Sequence, residues 1–358
     1  MLDARCATDH FPGIGRYVVS LAAALAQRTD LRLTLITTRG QHTTLHDLAG
    51  LLALPQVAVA TIAGGPFAPG AQRALPRLLR TLRPDCFHAP YYVMPYTDLP
   101  CPTVVTLYDV IPRRFPQHVA VRARLAFEVC SRLAARAADR IITISASAAR
   151  DLQHSFGINP ARISVTPLAA DAGFVPQSAL DIQRMRDRLG ISGSYIVATA
   201  NSRPHKNLGG LLDAWQRADL RDQTLVVVGS TSALAGAVPP RALLTGSLPQ
   251  PVFAALLSGA VCFVLPSRYE GFGLPPLEAL ACGTPVVCGG HSALPEVVGD
   301  AGYSTNVADP AAFAAAIRRV VTDDTLRGTL RARALARAAQ FSWHATAART
   351  AEIYASVT

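Results

Sequence analysis

The sequence predicts an α/β protein built as two doubly wound domains, each a parallel sheet covered by helices. Three observations carry that expectation. Short β-branched runs alternate with helical patterns along the chain, the arrangement that parallel strands with right-handed crossovers require. At 358 residues the chain is too long for one compact core. The alternation also breaks once, near 167–180, where PLAADAGFVPQS interrupts the periodicity with Pro and Gly. The expected division is therefore 1–170, 171–340, and a last helix over 341–358.

Taken in order, the opening MLDAR leaves room for only a few strand residues before a glycine-containing turn at 12–17. Further strands are expected at 32–37, 57–62, 85–88, 103–107, 140–144 and 162–165. Helices are expected at 15–28, 71–82, 118–138 and 147–155. The second half repeats the pattern. Its strands are expected at 195–200, 224–229, 242–246, 260–265, 284–288 and 302–304. Its helices are expected at 207–218, 249–258, 275–282, 309–321, 324–339 and 342–356.

Composition excludes several classes. Half of the residues are hydrophobic, yet no run reaches the eighteen or so apolar residues of a membrane span. The longest candidate, FAALLSGAVCFVLP (253–266), reads as a helix end followed by a buried strand. The start lacks the pattern of a secretory signal. Seven cysteines without CxxC spacing read as reduced, packed thiols of a cytoplasmic protein. No histidine has metal-site spacing with carboxylates, so no metal or other cofactor is expected.

Charge is uneven. Residues 1–170 carry eighteen Arg against ten Asp and Glu, a net of +8; residues 171–358 carry sixteen Arg and Lys against fourteen, a net of +2. The excess gathers at Arg113, Arg114, Arg122, Arg124, Arg132, Arg136 and Arg140. Positions 122, 132, 136 and 140 can share a helical face. An anionic membrane surface or a phosphorylated acceptor suits that patch, the membrane contact being peripheral, salt-sensitive and without insertion. Aromatics are not interleaved with these arginines, so nucleic acid is not expected as a partner. Among thirty-four basic residues only one is lysine, Lys206. A site needing a compact point charge resists replacement by the planar fork of arginine.

The most informative stretch is RYEGFGLPPLEALACGTPVVCGG (268–290). Glu270 and Glu278 flank a Gly271-Phe272-Gly273 turn and a Pro275-Pro276 step. Glycine permits close approach of main-chain N–H groups to a ligand. Prolines suit the first turn of a helix. The helix N-terminus between the two carboxylates suits an anion. Amides for phosphates, with carboxylates for hydroxyls on either side, describe a nucleotide-sugar site.

The same stretch resembles the Glu-x7-Glu signature of the retaining glycosyltransferases of family 4. Five further segments resemble that family's motifs in order: PGIGRY (12–17), YDVIPRRFP (108–116), TISASAARDL (143–152), SRPHKNLGGLLDAW (202–215) and FSWHATAARTAEIY (341–354). The resemblance implies the GT-B fold, two Rossmann-like doubly wound domains facing a cleft, with the donor held mainly by the second and the last helix, 341–358, crossing back to the first. It implies that Arg203 and Lys206 neutralise the donor diphosphate, that Glu278 binds the ribose, and that Glu270 meets the donor sugar. Backbone N–H groups of Gly271, Phe272, Gly273 and Leu274 would reach phosphate or sugar. Gly13 and Gly15 would approach from the first domain. Tyr108 stands where the family commonly carries His, so an imidazole role is absent. Asp109 either orients the acceptor or caps the following turn. Ala169-Ala170 departs from the Gly that many relatives carry before the linker Asp.

The implied activity is metal-independent, retaining transfer of a hexose, best matched by mannose from GDP-mannose. The acceptor is a saccharide or polyprenyl-linked saccharide of surface-polysaccharide assembly, met in the cytoplasm at the inner face of the plasma membrane. UDP-glucose, UDP-N-acetylglucosamine and dTDP-rhamnose remain alternative donors. A phosphorylase or epimerase of like architecture and a catalytically idle sugar-nucleotide sensor remain alternative functions, the phosphorylase lacking any lysine for pyridoxal besides Lys206.

Overall fold

The computed structural model describes residues 1–68, 70–201, 203–229 and 238–358, so Ser202 of the SRPHKN segment lies outside the described residues. The chain divides into two compact units, Met1–Leu168 with Ser342–Thr358, and Ala169–Phe341.

Unit 1 carries seven strands: β1 (Leu2–Asp3), β2 (Leu33–Thr38), β3 (Val57–Ile62), β4 (Phe87–Ala89), β5 (Thr103–Thr106), β6 (Arg140–Thr143) and β7 (Ile163–Val165). Their order is β3-β2-β1-β4-β5-β6-β7, and every pairing is parallel. β1 is only two residues long, yet it is central, pairing with β2 through Leu2 and Asp3 and with β4 through Leu2. The chain leaves β1 towards β2 on one side and later reaches β4 on the other. The β1/β4 boundary is therefore the topological switch point, where open α/β sheets bind ligands beyond their strand ends.

Helix α1 (Pro12–Ala26) begins three residues before the expected 15, because Pro12 fits the first helical position at no loss of a hydrogen bond. Helices α2 (Leu48–Leu52) and α4 (Ile111–Arg114) were not expected; each spans barely one turn, too short for a periodic pattern. α3 (Ala71–Leu82) and α6 (Ala146–Phe156) lie where expected, α6 capped by Ser145 Oγ and closed by Gly157 in the left-handed region. α5 spans Val121–Ala137, and Arg140 opens β6, so it does not share the helical face expected with Arg122, Arg132 and Arg136.

The C-terminal helix α14 (Trp343–Ala355), capped by Ser342 Oγ, packs on α1. A buried polar chain pins it there. His88 Nδ1 lies 2.6 Å from Tyr354 Oη, His88 Nε2 lies 2.7 Å from Thr106 Oγ1, and Tyr17 Oη lies 3.0 Å from the same hydroxyl. Burial, and secondarily the N-terminal ammonium, holds the His88 pKa down at about 3.

Unit 2 carries β8 (Ser194–Ala200), β9 (Gln223–Gly229), β10 (Ala242–Gly246), β11 (Phe263–Leu265), β12 (Val286–Gly289) and β13 (Gly302–Thr305), in the parallel order β10-β9-β8-β11-β12-β13. Its switch point is β8/β11. Around the sheet lie α7 (Ala179–Leu189), α8 (Leu208–Ala218), α9 (Gln250–Ser258), α10 (Leu274–Ala281), α11 (Leu294–Val298), α12 (Pro310–Thr322) and α13 (Asp324–Ala338). α7 was missed because half of LDIQRMRDRL is charged, and Met185 is its one buried residue. Ser178 Oγ and left-handed Gly190 cap it in place of an apolar stripe. The five-residue α11 was missed as well.

All seven cysteines are free. Burial pushes the Cys86, Cys262, Cys282 and Cys288 thiols up to about 12, so they pack as small apolar groups. Among the described residues, no helix is long and apolar enough to cross a membrane.

Candidate functional site

Three loops meet at the strand ends of unit 2: 201–207 after β8, 266–273 after β11, and 290–293 after β12. Hydrogen bonds lock them together. Arg268 N–H donates to His205 O at 2.8 Å, joining the first loop to the second. Glu270 N–H donates to Ser292 Oγ at 3.0 Å, joining the second to the third. Asn207, left-handed at φ 54°, sends Nδ2 to Val307 O at 2.9 Å and fixes the start of α8.

This frame brings Lys206 and Glu270, sixty-four residues apart, into one contact. Lys206 Nζ donates to Glu270 Oε1 at 2.6 Å, with side-chain exposures of 20% and 10%. A charge pair so poorly solvated binds strongly only while both partners are present. Arg203 is exposed at the mouth of the same loop, and its N–H donates to Asn201 Oδ1 at 3.0 Å.

Gly273 precedes α10 at φ 119°, a conformation that side-chain-bearing residues rarely adopt, and an added Cβ would also meet Leu294 Cδ2 at 2.8 Å. The first turn of α10 is poorer in donors than expected. It runs Leu274-Pro275-Pro276, and the two prolines carry no N–H, so Leu274 alone supplies one there. Any amide cradle therefore depends on the loop groups of Gly271, Phe272 and Gly273. Glu278 sits at the fifth helical position of α10 and is buried, as is Glu270. Phe272 is buried against Phe341, ring centroids 5.9 Å apart and edge-to-face.

Unit 1 presents a different strand-end edge. Gly13 and Gly15 do not form a loop; both lie in the first turn of α1. Gly15 is small because His46 is close: a Cβ there would meet His46 Cδ2 at 3.1 Å. Gly13 is exposed, with open space where a Cβ would stand. Tyr108, after β5, is half-buried; its hydroxyl donates to Pro90 O at 2.7 Å. Burial raises its pKa well above that of an ordinary phenol, with Tyr17, Cys6 and Tyr91 adding to the effect. Asp109 Oδ1 accepts from Ile111 N–H at 2.8 Å, the geometry of a turn cap.

Two groups on this edge escaped sequence reasoning. Asp3 and Arg5, at the end of β1, form a buried bidentate pair at 2.8 and 2.6 Å, and Arg5 Nη1 has no hydrogen-bond partner among the described residues. An aromatic cluster gathers from three separate strand ends: Phe11 stacks on Phe67 at 5.9 Å, and Tyr91 lies 5.8 Å from Phe11 and 4.0 Å from Tyr92. Phe67 remains 58% exposed. Only the spacing of aromatics after β1, β3 and β4 could have flagged it. In unit 2 the missed residues are Arg268 and Ser292, which interlock the loops. Among the described residues, no group of three His, Cys, Asp or Glu side chains could hold a metal ion.

Comparison with known proteins matches both halves of the chain. Residues 12–174 match the model described as Glycosyltransferase Family 4, and residues 193–323 match Glycosyl transferases group 1. The chain is 30% identical over 290 residues to the O-antigen chain mannosyltransferase B of Escherichia coli, covering 77% of this chain and 75% of that protein. It is 29% identical over 271 residues to the serotype-specific mannosyltransferase WbdA of the same organism, covering 71% of this chain but only 33% of WbdA. Among solved structures, Anabaena HepE, determined in complex with UDP and glucose, superposes with a TM-score of 0.76 at 21% identity over 96% of each chain.

Proposed function

The chain belongs to the family 4 glycosyltransferases, and on that premise we propose that it moves mannose from GDP-mannose to a hydroxyl of a saccharide acceptor, with retention and without a metal ion. One observation supports this above the others: the single lysine of the chain lies 2.6 Å from Glu270, beside the helix that carries Glu278. In this reading Lys206 and Arg203 neutralise the donor diphosphate. Glu278 accepts from the ribose hydroxyls, and Glu270 from the hydroxyls of the transferred sugar. The N–H groups of Gly271, Phe272, Gly273 and Leu274 complete the anion cradle. As the glycosidic bond breaks, the leaving nucleotide gains negative charge, so fixed cations there stabilise the transition state more than the bound donor.

The mannosyltransferase relatives support mannose as the sugar. The acceptor is read as a saccharide, free or carried on a polyprenyl lipid, held by unit 1. Its strand-end aromatics offer apolar ring faces for sugar C–H groups. Gly13 and Gly15 keep the start of α1 uncrowded, and Asp109 and Tyr108 contribute oxygens beside it. The reaction is placed in the cytoplasm at the inner face of the plasma membrane.

The test is a donor panel in excess chelator: GDP-mannose, UDP-glucose, UDP-N-acetylglucosamine and dTDP-rhamnose, with product configuration read by NMR. GDP-mannose is expected to turn over and to give the α-linked product. Turnover with another donor alone, a β-linked product, or strict dependence on added metal would overturn the proposal.

A further inference from the structure

Both backbone groups of Glu270 are held by the loop that follows β12. Its N–H donates to Ser292 Oγ at 3.0 Å, and its carbonyl accepts from Ala293 N–H at 3.4 Å. That loop is anchored at its own start, where Gly290 N–H donates to Thr305 O of β13 at 2.8 Å. It also runs close to the loop of Glu270: a Cβ on Gly289 would meet Ser267 O at 2.9 Å. Glu270 is thus bracketed through its backbone, while its carboxylate carries the bond to Lys206 Nζ.

The Ser292 hydroxyl has one task in this bracket. A hydroxyl has a single hydrogen to donate and lone pairs with which to accept. The hydrogen goes to His291 O at 2.6 Å, so towards Glu270 the oxygen can only accept. The hydroxyl is not spent on the helix that follows, since α11 has Ala293 at its N-cap and no side-chain cap. Placing it there requires an uncommon backbone. Ser292 has φ 61°, in the left-handed region. Among the described residues six non-glycine residues have positive φ, and two of them, Asn207 and Ser292, stand in the three loops of this site. Left-handed backbone is frequent for Asn but not for Ser, and such outliers persist where the surrounding structure over-determines them. Asn207 directly follows Lys206, and Ser292 holds Glu270. Each partner of the ion pair is therefore set by one left-handed residue.

We propose that Ser292 is a positioning residue for the transfer reaction: its hydroxyl, oriented by His291 O, fixes the backbone of Glu270 and so aims the carboxylate at the transferred sugar and at Lys206. The proposal rests on the reading of Glu270 as the group that meets the sugar, and Ser292 acts only through it. A functional side chain is as precise as the shell that holds it, and a misplacement of about 1 Å can cost on the order of a hundredfold in rate. Ser292 therefore governs sugar transfer and leaves nucleotide binding, assigned to Glu278 and the diphosphate groups, unaffected.

The test compares Ser292→Ala with Ser292→Gly. Both remove the hydroxyl, but glycine takes the left-handed backbone without strain. Each variant is expected to lower kcat for transfer from GDP-mannose about ten- to a hundredfold. GDP affinity, read by calorimetry, is expected to stay at the wild-type value, which also shows that the variants are folded. A second readout needs no donor. Lys206 is the single lysine of the chain, so isotope-labelled lysine gives one side-chain NMR signal that reports its contact with Glu270. Glu270→Gln marks where that signal falls when the ion pair is lost, and both Ser292 variants are expected to move it in the same direction. Wild-type kcat in Ser292→Gly would overturn the proposal, since the backbone conformation and not the hydroxyl would then matter. So would an unmoved lysine signal in both variants, or GDP affinity lost in parallel with kcat. A wild-type protein that turns over no GDP-mannose would sink the donor reading instead, and the lysine signal would still decide this inference.

Discussion

The strand-end edges of the two units are built on opposite plans. In unit 2 the edge is charged, and most of it comes from one continuous stretch, Arg268 to Glu278, with Lys206 brought in from the loop before α8. In unit 1 the edge is aromatic, and its residues come from the ends of β1, β3, β4 and β5. Arg5, a cation on that edge, is already held by Asp3 at the same strand end. A diphosphate needs fixed charge at one place, which a short motif can supply. A saccharide offers apolar faces and neutral hydroxyls over a wider area, which suits scattered aromatics and tyrosines. The contrast fits the proposed reading, in which the nucleotide is held by unit 2 and the acceptor sugar by unit 1.

The largest effect expected from that division falls on Lys206. Lys206→Ala should lower kcat about 10²–10³-fold, the scale of losing one group aimed at developing charge, roughly 3–4 kcal/mol. The donor KM should change far less. Lys206→Arg should restore only part of the rate, since a planar fork replaces a point charge. Steady-state kinetics with saturating acceptor read all three values, and wild-type turnover in both variants would break the comparison at its charged end.

A smaller effect concerns the acid response of unit 1. The folded-state pKa of His88, held at about 3, lies below the ordinary imidazole value of 6.5. The unfolded chain therefore takes up the proton first as pH falls. The stability contributed by neutral His88 is complete above pH 6.5 and is lost progressively between there and pH 3. In unit 2 Tyr195 and the buried thiols of Cys262, Cys282 and Cys288 are shifted upward, away from the acid range. Hydrogen exchange in β4, β5 and α14 should therefore be faster at pH 5 than at pH 7, by more than the intrinsic change in exchange rate. His88→Asn should flatten the difference. Unchanged protection of β4, β5 and α14 between pH 7 and pH 5 would contradict it.

What could be read from the sequence follows the same division. Glu270, Gly273 and Glu278 were legible because a turn, a proline-led helix start and two acids lie within nine residues. Lys206 was legible because it is unique in an arginine-rich chain. The two sheets and most helices followed from periodicity, which reports burial on one face. α7 was not legible, since capping and not an apolar stripe defines it. The amide donors expected at Gly271, Phe272, Gly273 and Leu274 all precede Pro275 and Pro276, which carry no N–H. Phe11, Phe67 and Tyr91 were invisible, because they meet only after three strands have been laid side by side.

The most direct test of the division is calorimetric titration of GDP, in chelator, into the wild-type protein, Glu278→Ala, Phe67→Ala and Tyr91→Ala. Glu278→Ala is expected to weaken GDP binding by about 1.5–3 kcal/mol, roughly ten- to a hundredfold, because the ribose hydroxyls lose a charged acceptor. Phe67→Ala and Tyr91→Ala are expected to leave GDP affinity unchanged while raising the acceptor KM. Unchanged affinity in Glu278→Ala, with loss in Phe67→Ala or Tyr91→Ala, would put the nucleotide on the aromatic edge of unit 1 and contradict the assignment.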